Sequence, residues 1–243
     1  FSEPARNAIK YAIDAFGENV EFHLINAYYA RTSSATLLDL NDILSKESEQ
    51  GLNADIKWIN ENFEGLRLRI KSHSIFGSPI DAIRKVKNQY PIDAIVMGTK
   101  GASGIDAVLF GSVASNVIRV TKAPVISVPP SCEFEGFERI VFASDGKSIE
   151  DDSVLDPLKK MQGHFNADIT LFSVVKKGAE IDWNKSGISI ENAHYATTEG
   201  DNIAEAVTSF CKEQNANLLA IVSKHTGFFD RLFHHSISKE LVE

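Results

Sequence analysis

Residues 93–128 constrain the fold more than any other stretch. The apolar run Ile95-Val96-Met97 stops abruptly at Gly98, then Gly101, Gly104 and Gly111 follow, and Ser112 opens an apolar-periodic segment. This spacing predicts a short strand, a glycine-rich loop and a helix beginning at a Ser cap. Residues 124–128 (PVISV) read as a further short strand. Such a loop brings backbone N–H groups close to an anion, because glycine lacks the side chain that blocks approach. The helix behind it adds free N–H groups and the positive end of its dipole. The stretch therefore reads as a phosphate cradle, with a nucleotide as the expected ligand.

The rest of the chain alternates in the same way. Ala5, Ala8, Ile9, Ala12, Ile13 and Phe16 share one helical face, with Ser2 as the cap and Pro4 in the first turn. A strand is expected ahead of this helix, for reasons the second half supplies. Residues 20–28 read as a strand, and a long, mostly helical connection carries Leu37, Leu40, Leu44, Leu52, Ile56 and Ile59. Residues 66–70 alternate apolar and charged, as a strand with one wet face does. Ser78 and Pro79 then start a helix with Ile80, Ile83 and Val86. Strands alternating with helices imply a parallel, helix-flanked sheet.

Residues 129–136 read as a linker, with two prolines, a glycine and no periodicity. The pattern then restarts: a strand at residues 139–143, a helix marked by Val154, Leu155, Leu158 and Met161, and a strand at residues 169–175. Residues 188–195 are a further candidate strand. The segment from Gly200 to Ile203 parallels that from Gly77 to Ile80, and residues 219–222 parallel residues 93–96. This is an internal duplication of one α/β unit. The expected domains are residues 1–130, lacking a first strand, and residues 137–243, lacking a last one. The second copy has Asp145 after its first strand, but its glycines are largely replaced. Lys224 falls where Gly98 was, and His235 precedes Ser236 as Gly111 precedes Ser112.

The full spacing, Gly98-x-x-Gly101, nine residues, then Gly111-Ser112, resembles the ATP-binding signature of the universal stress protein family. The entry through Phe1-Ser2 into the first helix and the PVISV strand are similar to that family too. The resemblance covers nearly the whole chain as a tandem pair, with a degenerate second copy. It implies, for each domain, a five-stranded open parallel sheet of Rossmann-like, adenine nucleotide alpha hydrolase-like type, flanked by helices. Nucleotide is then expected at the C-terminal edge of the strands. Carried over by motif, Gly98, Gly101, Gly111, Ser112 and Val113 would contact phosphate. Met97 would line the base or ribose side, and Ala27 would border adenine. In the second domain Ala143, Ser144 and Asp145 match the position after the first strand, and Gly227 and Ser236 are remnants of the loop. The resemblance also implies ATP or another adenine nucleotide with Mg²⁺ or Mn²⁺, and pairing of last strands in a homo-oligomer or an intrachain pseudo-dimer.

Composition and the remaining motifs narrow the alternatives. The chain has 243 residues, 43% of them hydrophobic, which is enough for a substantial core. A net charge of −8 argues against a general nucleic-acid binder. No apolar run is long enough for a membrane span, and no signal-peptide pattern opens the chain. Cys132 and Cys211 form neither a disulfide framework nor a metal spacing, so a cytoplasmic setting is expected. His225, His234 and His235 lack helical metal-ligand spacing, and Phe228, Phe229, Leu232 and Phe233 read as core or as a domain contact. No general base and nucleophile stand together, so no fast catalysis is expected and at most slow ATP hydrolysis. Two other classes compete: a tandem scaffold acting through protein contacts alone, and an adenylate-forming or flavin-binding enzyme on the same sheet. For the enzyme, the Ser144-Asp145-Gly146-Lys147-Ser148 segment is a poor phosphate loop.

Overall fold

The computed structural model describes residues 1–29, 37–99, 111–130, 132–147, 149 and 151–222. The chain divides into two compact units, Phe1–Phe134 and Glu135–Glu243.

The first unit begins with helix α1 (Glu3–Phe16), for which Ser2 is the N-cap residue, with Pro in the first turn. Its buried residues are Ala8, Tyr11, Ala12, Ile13 and Ala15. Strand β1 (Glu21–Tyr28) follows, then the long helix α2 (Leu37–Asn62) and strand β2 (Arg69–Phe76). The alternation at residues 66–70 therefore marks only the approach to β2, because Leu66 is exposed and the ladder starts at Arg69, opposite Glu21. Helix α3 (Pro79–Gln89) is capped by Ser78, whose hydroxyl oxygen accepts from the Asp81 amide. Strand β3 (Ile95–Gly98), helix α4 (Ser112–Val120) and strand β4 (Val125–Val128) complete the unit.

In the second unit strand β5 (Arg139–Ala143) leads through a 3-10 turn into helix α5 (Asp156–Phe165). Strand β6 (Asp168–Val175), strand β7 (His194–Glu199), helix α6 (Ile203–Glu213) and strand β8 (Leu218–Ile221) follow. The expected strand at residues 188–195 is displaced toward the C-terminus. Ile188 and Ile190 are instead buried in a cluster with Leu155 and Leu158, so they serve as packing without joining the ladder.

All described strand pairs are parallel. The second unit has one four-stranded sheet in the order β7-β6-β5-β8. Its central strand β5 feeds both faces, as period-two alternation requires: Ile140 and Phe142 join one core cluster, Val141 and Ala143 the other. The first unit departs from the expected five-stranded sheet. It has two separate pairs, β1 with β2 and β3 with β4. No described strand lies between β1 and β3, and no residue of β1 is buried, whereas four of the eight in its counterpart β6 are. Every residue of β3 is half-buried, and its counterpart β8 likewise has no buried residue.

A cavity at the ends of the first unit's strands

Strand β3 ends where the backbone turns back on itself. The Thr99 amide donates to the Val128 carbonyl at 3.0 Å, and the Thr99 carbonyl accepts from the Gly111 amide at 2.7 Å. These two bonds hold the start of α4 against the C-terminal ends of β3 and β4. Thr99 is buried, and the sequence reading missed it, although any loop that returns to the strand it left needs such an anchor. The N-cap residue of α4 is Gly111 and not Ser112, a correction to the expected Ser cap. Gly111 has no side chain to bond the first amides, so no side-chain cap closes this helix end.

Gly98 lies against the entry to α1. A Cβ placed there would be 2.9 Å from the Pro4 carbonyl oxygen and 3.2 Å from its carbon. The glycine thus serves backbone packing within the unit, a reason the sequence reading did not include.

A cavity of about 960 Å³ opens here, and Ala27, Met97, Gly98, Gly111, Ser112 and Val113 all line it. Six residues singled out from the first copy's pattern therefore meet in one space, drawn from β1, β3 and the start of α4. Gly101 and Gly104 lie outside the described residues.

In the second unit the counterpart positions are differently placed. Ala143 is buried at the end of β5, and the Ser144 amide donates to the Phe172 carbonyl at 3.0 Å. Asp145 turns its carboxylate onto its own loop, accepting from the Lys147 amide at 3.2 Å, with the Lys147 ammonium 3.5 Å away. Ile181 stands beside Gly146, so that a Cβ there would lie 2.9 Å from the Ile181 Cδ1. The Ile149 amide donates to the Ser186 carbonyl at 3.0 Å. Residues 181–187 thus lie over the turn that follows β5. Gly227, Ser236, Lys224 and the histidines at 225, 234 and 235 lie outside the described residues.

A second polar cluster escaped the sequence reading. His23 Nδ1 is 2.9 Å from His73 Nε2, and His23 Nε2 is 2.9 Å from a Glu21 carboxylate oxygen, on which the Lys71 ammonium also converges at 2.9 Å. Tyr90 closes over both rings, and Lys71 sits 4.6 Å from its centroid. Burial, with the neighbouring His23 charge second, holds His73 below the usual histidine range. The cluster depends on the β1–β2 register, which sets His23 opposite Lys71 and Ile25 opposite His73, and composition offers no sign of that register. No group of three or more His, Cys, Asp or Glu is arranged to hold a metal ion among the described residues. Burial pushes the Cys211 thiol up to about 11, so it is a poor nucleophile.

Parallel strands alternating with helices, as both units have, define an open α/β fold of Rossmann-like type. The model of the universal stress protein family matches residues 1–129. The chain belongs to the universal stress protein family. Among curated proteins it is similar to universal stress protein MJ0577 of Methanocaldococcus jannaschii, 30% identical over 88 residues, which are 36% of this chain and 54% of that protein. Universal stress protein MJ0531 of the same organism is 26% identical over 128 residues, 52% of this chain and 73% of that protein. The chain spans only about half the length of the first of these. Among solved structures, a universal stress protein from Archaeoglobus fulgidus superposes with a TM-score of 0.64 at 22% identity, covering 91% of this chain and 83% of that one. A functionally unknown Pseudomonas aeruginosa protein, PA1789, reaches 0.51 at 15% identity, over 90% and 77%. These likenesses carry the fold. No helix among the described residues is long and apolar enough to cross a membrane.

Proposed function

We propose that the first unit binds ATP or a related adenine nucleotide at the C-terminal ends of β1 and β3, and that the protein acts in a cytoplasmic stress response through this binding. The observation that carries the reading is the meeting of Ala27, Met97, Gly98, Gly111, Ser112 and Val113 on one cavity, beside a helix start that no side chain caps. Amides at such an end attract phosphate oxygens, and the helix dipole adds to the attraction. In this reading Gly111, Ser112 and Val113 hold phosphate, Met97 lies along the ribose or base, and Ala27 borders adenine. Gly101 joins them from the loop. Mg²⁺ or Mn²⁺ arrives with the phosphates. The sequence pattern sets no general base beside a nucleophile, so binding without rapid turnover is the expected behaviour. Among the described residues β4 is paired on one edge only, which makes it the candidate contact for a homo-oligomer or an intrachain pseudo-dimer.

A thermal-shift series with ATP, AMP, FAD and no ligand tests this. ATP at a hundredfold excess over its dissociation constant should raise the midpoint by roughly 5–10 °C. Gly111→Trp should abolish the rise while leaving the unliganded midpoint nearly unchanged. Equal ATP affinity by calorimetry in that variant would show the assignment to be wrong. A response to FAD instead of ATP would favour the flavin class, and no response would favour a scaffold acting through protein contacts.

A further inference from the structure

Thr99 anchors the loop through its backbone, and its side chain is uncommitted. The residue is 4% exposed and lines the cavity, and no described residue bonds its hydroxyl. A hydroxyl set so deep normally has a partner, because taking it from water without one is costly. Two other buried hydroxyls among the described residues do have one. Ser48 accepts from the Ser74 hydroxyl at 2.8 Å, and Ser186 donates to the Trp183 carbonyl at 2.7 Å. The Thr99 hydroxyl, with one proton to donate, borders the cavity instead.

The backbone beside Thr99 decides which amides are left to a ligand. The Gly111 amide is already taken, since it donates to the Thr99 carbonyl at 2.7 Å. Gly111 therefore holds phosphate by leaving room, and not as a donor. The next two amides, of Ser112 and Val113, open α4. They have no acceptor among the described residues, because a helix leaves its first N–H groups free and no side chain caps this end. Both residues are exposed and line the cavity. The same bond that removes Gly111 from the donors sets Thr99 beside this helix start. One hydroxyl and two amides thus stand at one end of the cavity, all donors and all without a described acceptor. Convergent donors at the positive end of a helix suit an anion.

Building on the nucleotide reading, we infer that the Thr99 hydroxyl is a direct ligand of the polyphosphate. It donates to a phosphate oxygen that the Ser112 and Val113 amides also hold. A hydrogen bond to a charged oxygen is stronger than one to a neutral oxygen, so the hydroxyl counts for a phosphorylated ligand and not for a bare nucleoside. Thr99 then has two tasks on one residue: its carbonyl fixes the start of α4, and its side chain completes the seat that this start opens.

Calorimetry with ATP, adenosine and inorganic tripolyphosphate, on the full chain and on Thr99→Val and Thr99→Ser, tests this. Valine keeps the branched shape and loses the hydroxyl, whereas serine keeps the hydroxyl. Thr99→Val should weaken ATP and tripolyphosphate about tenfold and leave adenosine within about twofold, and Thr99→Ser should keep ATP within about threefold. A thermal midpoint within about 2 °C of the parent, without ligand, shows that the valine variant is folded. The parent chain gives a second reading that needs no variant. By amide exchange, Gly111 should be protected with or without ATP, and Ser112 and Val113 only with it. Equal ATP affinity in Thr99→Val overturns the role of Thr99 and leaves the nucleotide reading standing. So does an equal loss for adenosine and ATP, which would assign Thr99 to packing. A Gly111 amide that exchanges freely until ATP is added overturns the donor set. Tripolyphosphate bound as tightly as ATP, with the same loss in the valine variant, keeps Thr99 as a ligand and overturns the adenine reading. A parent chain that binds neither overturns both.

Discussion

A methyl group at Gly98 would press on the Pro4 backbone, which cannot rotate away as a side chain can. Gly98→Ala is therefore expected to destabilise the first unit by about 1–3 kcal/mol, the usual range for overpacking, measured by urea unfolding. The loss should be present without nucleotide, which separates it from the binding defect of Gly111→Trp. At His73 the prediction concerns pH. Its folded pKa lies below its ordinary value, so the unfolded chain binds the proton more readily. The contribution is full above the unfolded pKa of about 6.5 and is lost as pH falls through the lower, folded value. A second proton on the pair would also put N–H groups face to face across the His23–His73 contact. Urea midpoints measured from pH 7.5 to pH 5 should fall, and His73→Gln should flatten that part of the profile. A profile unchanged in the variant would assign the acid sensitivity elsewhere.

Among the elements, the caps behave as local chemistry dictates. Ser78 accepts from the Asp81 amide at 3.2 Å and donates to its carboxylate at 2.6 Å, so each side chain orders the other. That hydrogen bond, ahead of the Ser78 backbone and Arg84, holds the Asp81 carboxyl below the ordinary carboxylate range. Ser78→Ala is expected to cost about 1 kcal/mol, read as a lower urea midpoint with an unchanged slope. Asn202 caps α6 in the same way through the Glu205 amide. These starts were legible because a cap is decided within four residues. The strand bounds of β2 and β7 were less so. Alternation at residues 66–70 is the same whether or not a partner is within reach, and the ladder opposite β1 begins only at Arg69. Likewise Ile188 and Ile190 have strand composition but are buried in a cluster of side chains. The candidate site was legible in its glycines and serine, since backbone approach requires them. Thr99 was not, because a buried carbonyl that accepts from Gly111 depends on the path of the loop and not on residue type. The His23–His73 pair was hidden for a similar reason: its members are 50 positions apart and meet through register alone.

For the whole molecule, the two units share a pattern of parallel strands but differ at the corresponding turns. Ala27 and Gly98 line a cavity in the first unit, whereas in the second Ile181 stands against Gly146. Adding ATP should therefore slow amide exchange at residues 97–99 and 111–113 and leave residues 143–147 unchanged. Hydrogen exchange with mass detection checks this, and equal slowing at both turns would mean that the second unit binds as well. A repeated order of strands and helices was readable in the sequence, whereas the coverage of Gly146 was not, because it comes from residues 181–187, which have no counterpart in the first half's pattern.

The side-chain amide of Asn7 donates to the carbonyls of both Pro129 and Cys132, each at 3.1 Å. One residue of α1 therefore fastens the polypeptide as it leaves β4. Cutting that tie by Asn7→Ala should make the exit fray, and a glutamate-specific protease should then nick the chain at Glu133 or Glu135 about tenfold faster. The stretch that the sequence reads as a linker is thus moored at its start, and the Tyr11 ring, one turn further along α1, meets the Phe134 ring edge-on at 5.4 Å.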